Sequence, residues 1–166
     1  LNKKKNILKK IFADLFKNKY YDINKNFFDE NAKEFNELLV NQNTIAIDMR
    51  NHYESEIGHF DGANLPDVDS FRESLPIIND RYKKFKKIKN ILMYCTGGIR
   101  CEKASLYLRN QGFKNVYQLN GGIINYLNKI DKKKSLWKGD CFVFDNRVSV
   151  KHGLKPGNLK ICAGCR

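Results

Sequence analysis

The junction between an apolar run and a glycine-rich turn constrains the fold of this chain more than any other feature. Residues 91–94 are apolar, and Cys95-Thr96-Gly97-Gly98 follows them directly. An apolar run bounded by glycines predicts a buried strand, and the residues after the turn predict a helix. Such a turn directs several backbone N–H groups at one atom, here the Cys95 sulfur. Amide dipoles favour the thiolate, which is the reactive form of cysteine. We therefore predict that Cys95 is a catalytic nucleophile.

The residues after Cys95 are predicted to form an active-site loop: Thr96, Gly97, Gly98, Ile99, Arg100 and Cys101. The glycines tolerate positive φ and a close approach of the backbone. Arg100 is expected to bind an anion through its forked guanidinium, and the alternative is a surface charge at the start of a helix. Cys101 could resolve an oxidised or persulfidated Cys95, or it could be a small packed residue in the first helical turn.

Two motifs, in a fixed order, suggest a family. Four residues separate Cys95 from Arg100, a ring that is shorter than the one around a phosphate in cysteine phosphatases and suits one extra sulfur. Upstream lie Asp48-Met49-Arg50, Glu54 and Gly58-His59-Phe60-Asp61-Gly62-Ala63. Together these motifs resemble the rhodanese family, whose loop carries a cysteine persulfide. The resemblance implies an α/β fold with a doubly wound parallel sheet, helices on both faces and irregular basic flanks.

A longer set of segments narrows this resemblance. The chain resembles the bacterial tRNA uridine hydroxylase family in five places. These are residues 95–105, 112–117, 121–123 and 141–148 and the pair Cys162 and Cys165. The resemblance implies an oxygen-dependent enzyme that converts wobble uridine(34) of tRNA to 5-hydroxyuridine, with tRNA as partner and molecular oxygen as co-substrate. No cofactor is evident, since the sequence has neither a two-histidine, one-carboxylate iron triad nor a dinucleotide fingerprint.

Two other functions stay open at this point. A sulfurtransferase would carry a persulfide on Cys95 to a thiol acceptor, and it needs only the loop. A non-enzymatic module would present a basic face of the rhodanese fold to RNA or protein, although the intact Cys95 and Arg100 argue against it. Family members carry a further α/β domain before the rhodanese part. We therefore expect this chain, which begins with Leu1, to be a fragment that can keep the loop and lose the activity.

Charge and cysteine usage bear on partners and compartment. There are 31 Lys and Arg against 18 Asp and Glu, a net charge of +13, which favours nucleic acid as a partner. The basic run 81–89 either contacts phosphates or is a solvated face; its candidate contacts are Lys83, Lys84, Lys86 and Lys87. Five cysteines without a spaced framework indicate a reducing, cytoplasmic setting. No apolar run approaches the roughly 20 residues of a membrane span.

We divide the chain into three parts. Residues 1–26 are predicted to be a basic linker or the remnant of an upstream domain, with a short amphipathic helix as the alternative. Residues 27–130 form the rhodanese-like domain, and 131–166 form a C-terminal extension in which a cysteine-rich segment begins. Cys162 and Cys165 have the spacing of half a zinc site. Two more ligands from a longer protein would complete a structural zinc site.

A coarse pass along the chain predicts alternating strands and helices. Strands are expected at 44–48, 91–95, 116–119 and 141–144, and helices at 31–40, 70–75, 102–110 and 121–127. Residues 51–76 are otherwise expected to be irregular, and 129–140 to be a second linker. Asp48 and Cys95 fall at carboxyl ends of parallel strands, where active residues belong. Asp48 and Arg50 are expected to brace the loop through ion pairs.

Overall fold

The computed structural model describes residues 28–160. In chain order its elements are β1 (Phe28–Glu30), α1 (Ala32–Leu39), β2 (Thr44–Asp48), α2 (His52–Ile57), β3 (Gly58–Phe60), α3 (Phe71–Tyr82), β4 (Asn90–Tyr94), α4 (Ile99–Asn110), β5 (Val116–Leu119), α5 (Gly122–Lys129), β6 (Trp137–Gly139), β7 (Cys141–Phe142) and β8 (Ser149–Val150). Three 3-10 turns lie at Lys83–Phe85, Lys132–Lys134 and His152–Leu154.

The centre of the fold is a four-stranded sheet in the order β1-β5-β4-β2, with every neighbouring pair parallel. Side chains alternate between its two faces. Ile91 and Met93 pack in one core with residues of α3 and α4. Leu92 and Tyr94 pack in a second core with residues of α1 and α5. Helices therefore cover both faces, which confirms the predicted fold class.

The predicted bounds of β2 and β5 agree with the structure, and α1 begins after Asn31, whose side chain caps it. Residues 51–76 differ from the prediction, because they contain α2 and β3. The helix predicted near 70–75 also continues through Pro76 to Tyr82. Its buried residues Leu75, Ile78 and Tyr82 recur at helical spacing and pack against the sheet. Burial of that face outweighs the helix-breaking tendency of an internal proline.

Residues 129–140 also differ, since part of this expected linker is a strand. β6 pairs antiparallel with β3. Trp137 is buried, and its ring lies 5.0 Å from that of Phe60. Cys141, Val143 and Val150 join the same core as α1 and α5. The apolar surface of these residues holds 131–150 against the sheet domain.

Two consequences of the fold concern the site. α4 begins at Ile99 and not at 102, so Arg100 and Cys101 belong to its first turn. β2 and β4 end together at one edge of the sheet, where Asp48 pairs in register with Tyr94.

Within residues 28–160, no helix has both the length and the apolar character that a membrane span requires. The expected helix within 1–26, Cys162 and Cys165 lie outside the described residues.

Candidate active site

Cys95 is the first residue after β4 and is buried. The Gly98 N–H donates to its Sγ at 3.1 Å, and the backbone N–H of Cys101 also lowers the pKa of Cys95. Gly98 holds φ at +94°, a conformation that glycine adopts without steric cost. The start of α4 therefore directs an amide at the Cys95 sulfur, as the sequence predicts.

A second thiol completes the surroundings of this sulfur. The Cys101 thiol hydrogen-bonds to Cys95 and is the largest cause that lowers the pKa of Cys95, to about 6. Burial opposes this shift, while the backbone N–H of Cys101, the charge of Arg100 and the N–H of Gly98 add to it. Burial, followed by the hydrogen bond and charge of Cys95, raises the pKa of Cys101 well above its ordinary value. A thiolate and a protonated thiol therefore lie in contact at neutral pH.

The start of α5 holds the loop from the other side. The N–H of Ile123 donates to the Cys95 carbonyl at 3.0 Å, and the N–H of Ile124 donates to the Thr96 carbonyl at 3.1 Å. A Cβ on Gly122 would lie 2.5 Å from both of those oxygens. Glycine at position 122 therefore permits the close approach that fixes the backbone of Cys95 and Thr96.

Arg100 reaches a carboxylate on α2. Its two terminal nitrogens donate to Glu54 at 2.6 and 2.7 Å, and one of them also donates to the Thr96 hydroxyl at 3.2 Å. The Thr96 hydroxyl in turn donates to Glu54 at 3.3 Å. Burial alone would raise the pKa of Glu54, but the hydrogen bonds and charge of Arg100 bring it below the ordinary value. Three side chains thus tie the loop to α2.

The sequence places Glu54 in the upstream motif but predicts no role for it in the site. It lies 46 positions from Arg100 along the chain, so neither local periodicity nor spacing indicates the pair. The available signal was its place between the Asp48 and Gly58 motifs. Arg100 is expected to bind an anion. In the structure its guanidinium donates to Glu54 and to the Thr96 hydroxyl.

Asp48 and Arg50 form a fully buried ion pair, with an Arg50 Nη2 to Asp48 Oδ2 distance of 2.6 Å. Arg50 also donates to the carbonyl oxygens of Glu54 at 3.1 Å and Gly58 at 2.6 Å. Its guanidinium carbon lies 5.2 Å from the centre of the Trp137 ring. The pair therefore fixes α2 and β3, and it supports the loop through Glu54.

Two residues of the predicted loop face solvent. Gly97 is exposed, and nothing lies within 4 Å of the position that a Cβ would take there. Ile99 is also exposed, although it is a large aliphatic residue and lies close in sequence to the buried Cys95. These two residues form the outer side of the loop.

The predicted phosphate-binding lysines precede β4, whereas Cys95 follows it. The two ends of this five-residue strand lie about 16 Å apart. Lys86 is engaged in the fold, since its Nζ donates to the Gln111 carbonyl at 2.6 Å and lies 5.2 Å from the centre of the Phe113 ring. Lys83 pairs with Asp80 at 3.0 Å. Lys84 and Lys87 are exposed.

An aromatic cluster near the loop was missed by sequence reasoning. The rings of Tyr53 and Phe142 lie 5.7 Å apart, and those of Phe142 and Phe144 lie 4.9 Å apart, each pair edge to face. Phe144 is 70% exposed and Tyr53 is 39% exposed. Tyr53 directly precedes Glu54, so this cluster adjoins the helix that holds the loop. The alternation in Phe142-Val143-Phe144 was its available signal.

Metal-binding residues were predicted only at Cys162 and Cys165, which the structure does not describe. Among residues 28–160, no group of three or more His, Cys, Asp and Glu side chains is arranged to hold a metal ion. Cys95, Cys101 and Cys141 are free thiols.

The chain is similar to known proteins in sequence and in structure. The family model described as "Rhodanese-like domain" matches residues 31–129. A protein of Pelagibacter ubique named tRNA uridine(34) hydroxylase is 54% identical over 134 residues, which are 81% of this chain and 43% of that protein. A protein of the same name from Acaryochloris marina is 48% identical over 134 residues, again 81% of this chain and 43% of that protein. The chain therefore spans less than half the length of these relatives.

Solved structures agree on the fold. The rhodanese-like domain of a protein from Anabaena has a TM-score of 0.52 at 21% identity, covering 67% of this chain and 78% of that one. A Rhodopseudomonas palustris protein of unknown function, described as a possible tyrosine phosphatase, has a TM-score of 0.53 at 21% identity and covers 63% of this chain and 83% of that one. At this identity the likeness concerns the fold alone.

Proposed function

The chain belongs to the rhodanese-like domain family, and from this premise we propose that it is the rhodanese part of an enzyme that hydroxylates uridine(34) of tRNA, with Cys95 as the catalytic residue. The observation that carries this proposal is the 54% identity, over 81% of the chain, to a protein named for that activity. The site supports it chemically, because the Cys95 pKa of about 6 makes this sulfur a thiolate at neutral pH. Molecular oxygen is the proposed co-substrate, and the cytoplasm is the proposed compartment.

Charge and exposed aromatic rings support tRNA as the substrate. Residues 28–160 contain 22 Lys and Arg against 16 Asp and Glu, and the remaining excess of positive charge comes mostly from residues 1–27. Basic proteins attract the phosphate backbone without regard to sequence. The cluster of Tyr53, Phe142 and Phe144 offers ring surfaces on which unpaired bases of an RNA loop can stack. It adjoins α2, so such bases would lie on the side of the molecule that carries the active-site loop.

Cys162 and Cys165 are proposed to be ligands of a structural zinc ion in the longer protein, with two further ligands from outside this chain. Such a site would stabilise the fold and take no part in the reaction. Elemental analysis of the full-length protein after mild chelation tests this proposal, since a metal-free protein with normal hydroxylation would contradict it.

The test of the function uses the full-length protein, because this chain covers less than half of its relatives. A strain without the gene is complemented with wild type, with Cys95→Ser, or with Cys141→Ser, and the nucleosides of its tRNA are measured by mass spectrometry. We expect Cys95→Ser to abolish 5-hydroxyuridine. Burial raises the pKa of Cys141 to about 12, so this thiol is unreactive and Cys141→Ser is the matched control. Full modification by the Cys95 variant would overturn the assignment.

A sulfurtransferase is the second candidate, and the donors around Cys95 favour it. The Gly98 N–H donates to the Cys95 sulfur, and the thiol and backbone N–H of Cys101 lower its pKa. Such an arrangement stabilises a persulfide anion as well as a thiolate. The purified protein would then transfer sulfane sulfur from thiosulfate to a thiol acceptor at a rate that depends on Cys95. Persulfide transfer together with unchanged tRNA in the deletion strain would favour this function over hydroxylation.

A further inference from the structure

Cys101 is a second thiol in the active-site loop, and nucleophilic chemistry at Cys95 uses it only to lower the pKa of Cys95. Both residues are buried, and both belong to the core between the sheet, α3 and α4. Cys101 lies in the first turn of α4, and Gly98, the N-cap of that helix, donates its N–H to the Cys95 sulfur at 3.1 Å. The Cys101 thiol is also the largest cause that lowers the pKa of Cys95. The two sulfurs are therefore neighbours within a loop that Glu54 and α5 hold in place.

The proposed reaction needs a source of electrons. When one atom of O2 enters uridine as a hydroxyl group, the other atom must be reduced to water by two electrons and two protons. A pair of thiols supplies two electrons when it becomes a disulfide. We propose that Cys95 and Cys101 together are the reductant for this hydroxylation and end each turnover as a Cys95–Cys101 disulfide. This inference rests on the proposed function.

The atoms and electrons of the step balance. The C5–H bond of uridine is replaced by C5–OH, the O–O bond breaks, and the second oxygen atom leaves as water. The S–S bond forms as the two sulfurs give up two electrons. One proton of the water comes from the Cys101 thiol, and the other comes from solvent because Cys95 begins as a thiolate. A dithiol reductant, small or protein-borne, then reopens the disulfide by thiol–disulfide exchange.

The surroundings of Cys101 make its reactivity depend on the state of Cys95. Burial is the first cause that raises the pKa of Cys101, and the hydrogen bond and negative charge of Cys95 come next. Arg100 acts in the opposite direction. Once Cys95 is oxidised, its negative charge is gone, while burial and the opposing charges of Asp48 and Arg100 remain as they were. Cys101 then loses its proton more readily and attacks the oxidised sulfur beside it.

A single-turnover experiment tests the proposal. Full-length protein is reduced, freed of reductant, and mixed with unmodified tRNA in oxygenated buffer. We expect one 5-hydroxyuridine per protein, the loss of two free thiols, and a peptide that links Cys95 to Cys101. Added dithiothreitol should restore repeated turnover. Cys141→Ser should keep this stoichiometry, because the Cys141 sulfur contacts the carbonyl oxygen of Phe142.

Cys101→Ser and Cys101→Ala should form less than a tenth of the wild-type product in the absence of reductant. A cooperative thermal unfolding transition like that of the wild type shows that each variant is folded. Product formed with both thiols still free, or wild-type yields from a folded Cys101 variant, would overturn the reductive role while leaving the proposed function intact. If wild-type protein forms no 5-hydroxyuridine even with dithiothreitol, the proposed function fails and the reductive role fails with it.

Discussion

Glu54 and Arg100 form the ion pair that fixes the active-site loop, with Nη to Oε distances of 2.6 and 2.7 Å. The carboxylate is fully buried, whereas the guanidinium is 21% exposed. The pair joins the first turn of α4 to α2 and encloses the Thr96 hydroxyl. The positive charge of Arg100 beside Cys95 is therefore fixed by its ion pair with Glu54. This pair positions the loop before any substrate binds.

Glu54→Gln is expected to destabilise the protein by about 3 kcal/mol, because it leaves a largely buried arginine without its counter-ion. Burial opposes the shift, but the hydrogen bonds and charge of Arg100 lower the pKa of Glu54. The stability that Glu54 contributes is therefore present above its unfolded-state pKa and is lost as pH falls through the lowered pKa. Denaturant unfolding at neutral pH and in acid should therefore show a smaller difference from wild type in acid. Glu56→Gln, at an exposed position of the same helix, should show no such difference at either pH.

Alkylation of Cys95 should follow a titration with a midpoint near pH 6. Cys101→Ala removes the largest cause of this low value, so its midpoint should move up towards the ordinary value of 9.0. The measurement is the iodoacetamide rate at Cys95 against pH, read by peptide mass, with Cys95→Ser as the blank. An unchanged midpoint in Cys101→Ala would show that the amides and Arg100 suffice.

Gly122→Ala should disturb the loop more than an ordinary glycine substitution. Its Cβ would lie 2.5 Å from the carbonyl oxygens of Cys95 and Thr96, so α5 must move away. Gly112→Ala is the matched control, because Gly112 also has positive φ but nothing within 4 Å of its Cβ position. Each should lose about 1–2 kcal/mol of stability from backbone strain, and only Gly122→Ala should also slow the alkylation of Cys95. Equal rates in the two variants would contradict this role of α5.

Charge removal separates the two interpretations of the basic run. Changing Lys83, Lys84 and Lys87 to Gln should reduce the salt slope of tRNA binding by about 2–3 if each contacts one phosphate. Stability should hardly change, since these side chains are exposed. Lys86→Gln should instead cost about 1 kcal/mol of stability, because it loses a hydrogen bond to the Gln111 carbonyl. A salt slope that stays at the wild-type value would identify the run as a solvated face.

Phe144→Ala should weaken the binding of tRNA and lower stability only slightly, through the lost ring contact with Phe142. Phe144 is 70% exposed, and stacking of a base on an aromatic ring contributes about 1–3 kcal/mol, or roughly 5- to 150-fold in affinity. Val40→Ala is the control, since Val40 is also 70% exposed and lies outside both the basic run and the aromatic cluster. Affinity is measured by fluorescence titration with an anticodon stem-loop. Loss of stability in the full-length Phe144 variant, with affinity unchanged, would show that the ring packs against protein.

The sequence alone was enough to predict the elements whose cause is local. β2 and β5 follow from short apolar runs between turn residues, and α1 follows from Asn31 and the apolar face after it. The strand, cysteine and glycine turn around Cys95 likewise depend on neighbouring residues. Alternating strands and helices also predicted a parallel α/β sheet, and the resemblance to the rhodanese family implied that helices cover both of its faces.

Tertiary structure decided the contacts between distant parts of the chain. The partner of Arg100 became visible only when β2 and β4 ended at one edge, which brings Glu54 to the loop. β6 forms because Trp137 is buried against Phe60. α3 continues beyond Pro76 because its apolar face packs against the sheet. The contacts of Arg100 with Glu54 and of Cys101 with Cys95 depend on how helices and strands pack in three dimensions. Local sequence patterns carry no information about that packing.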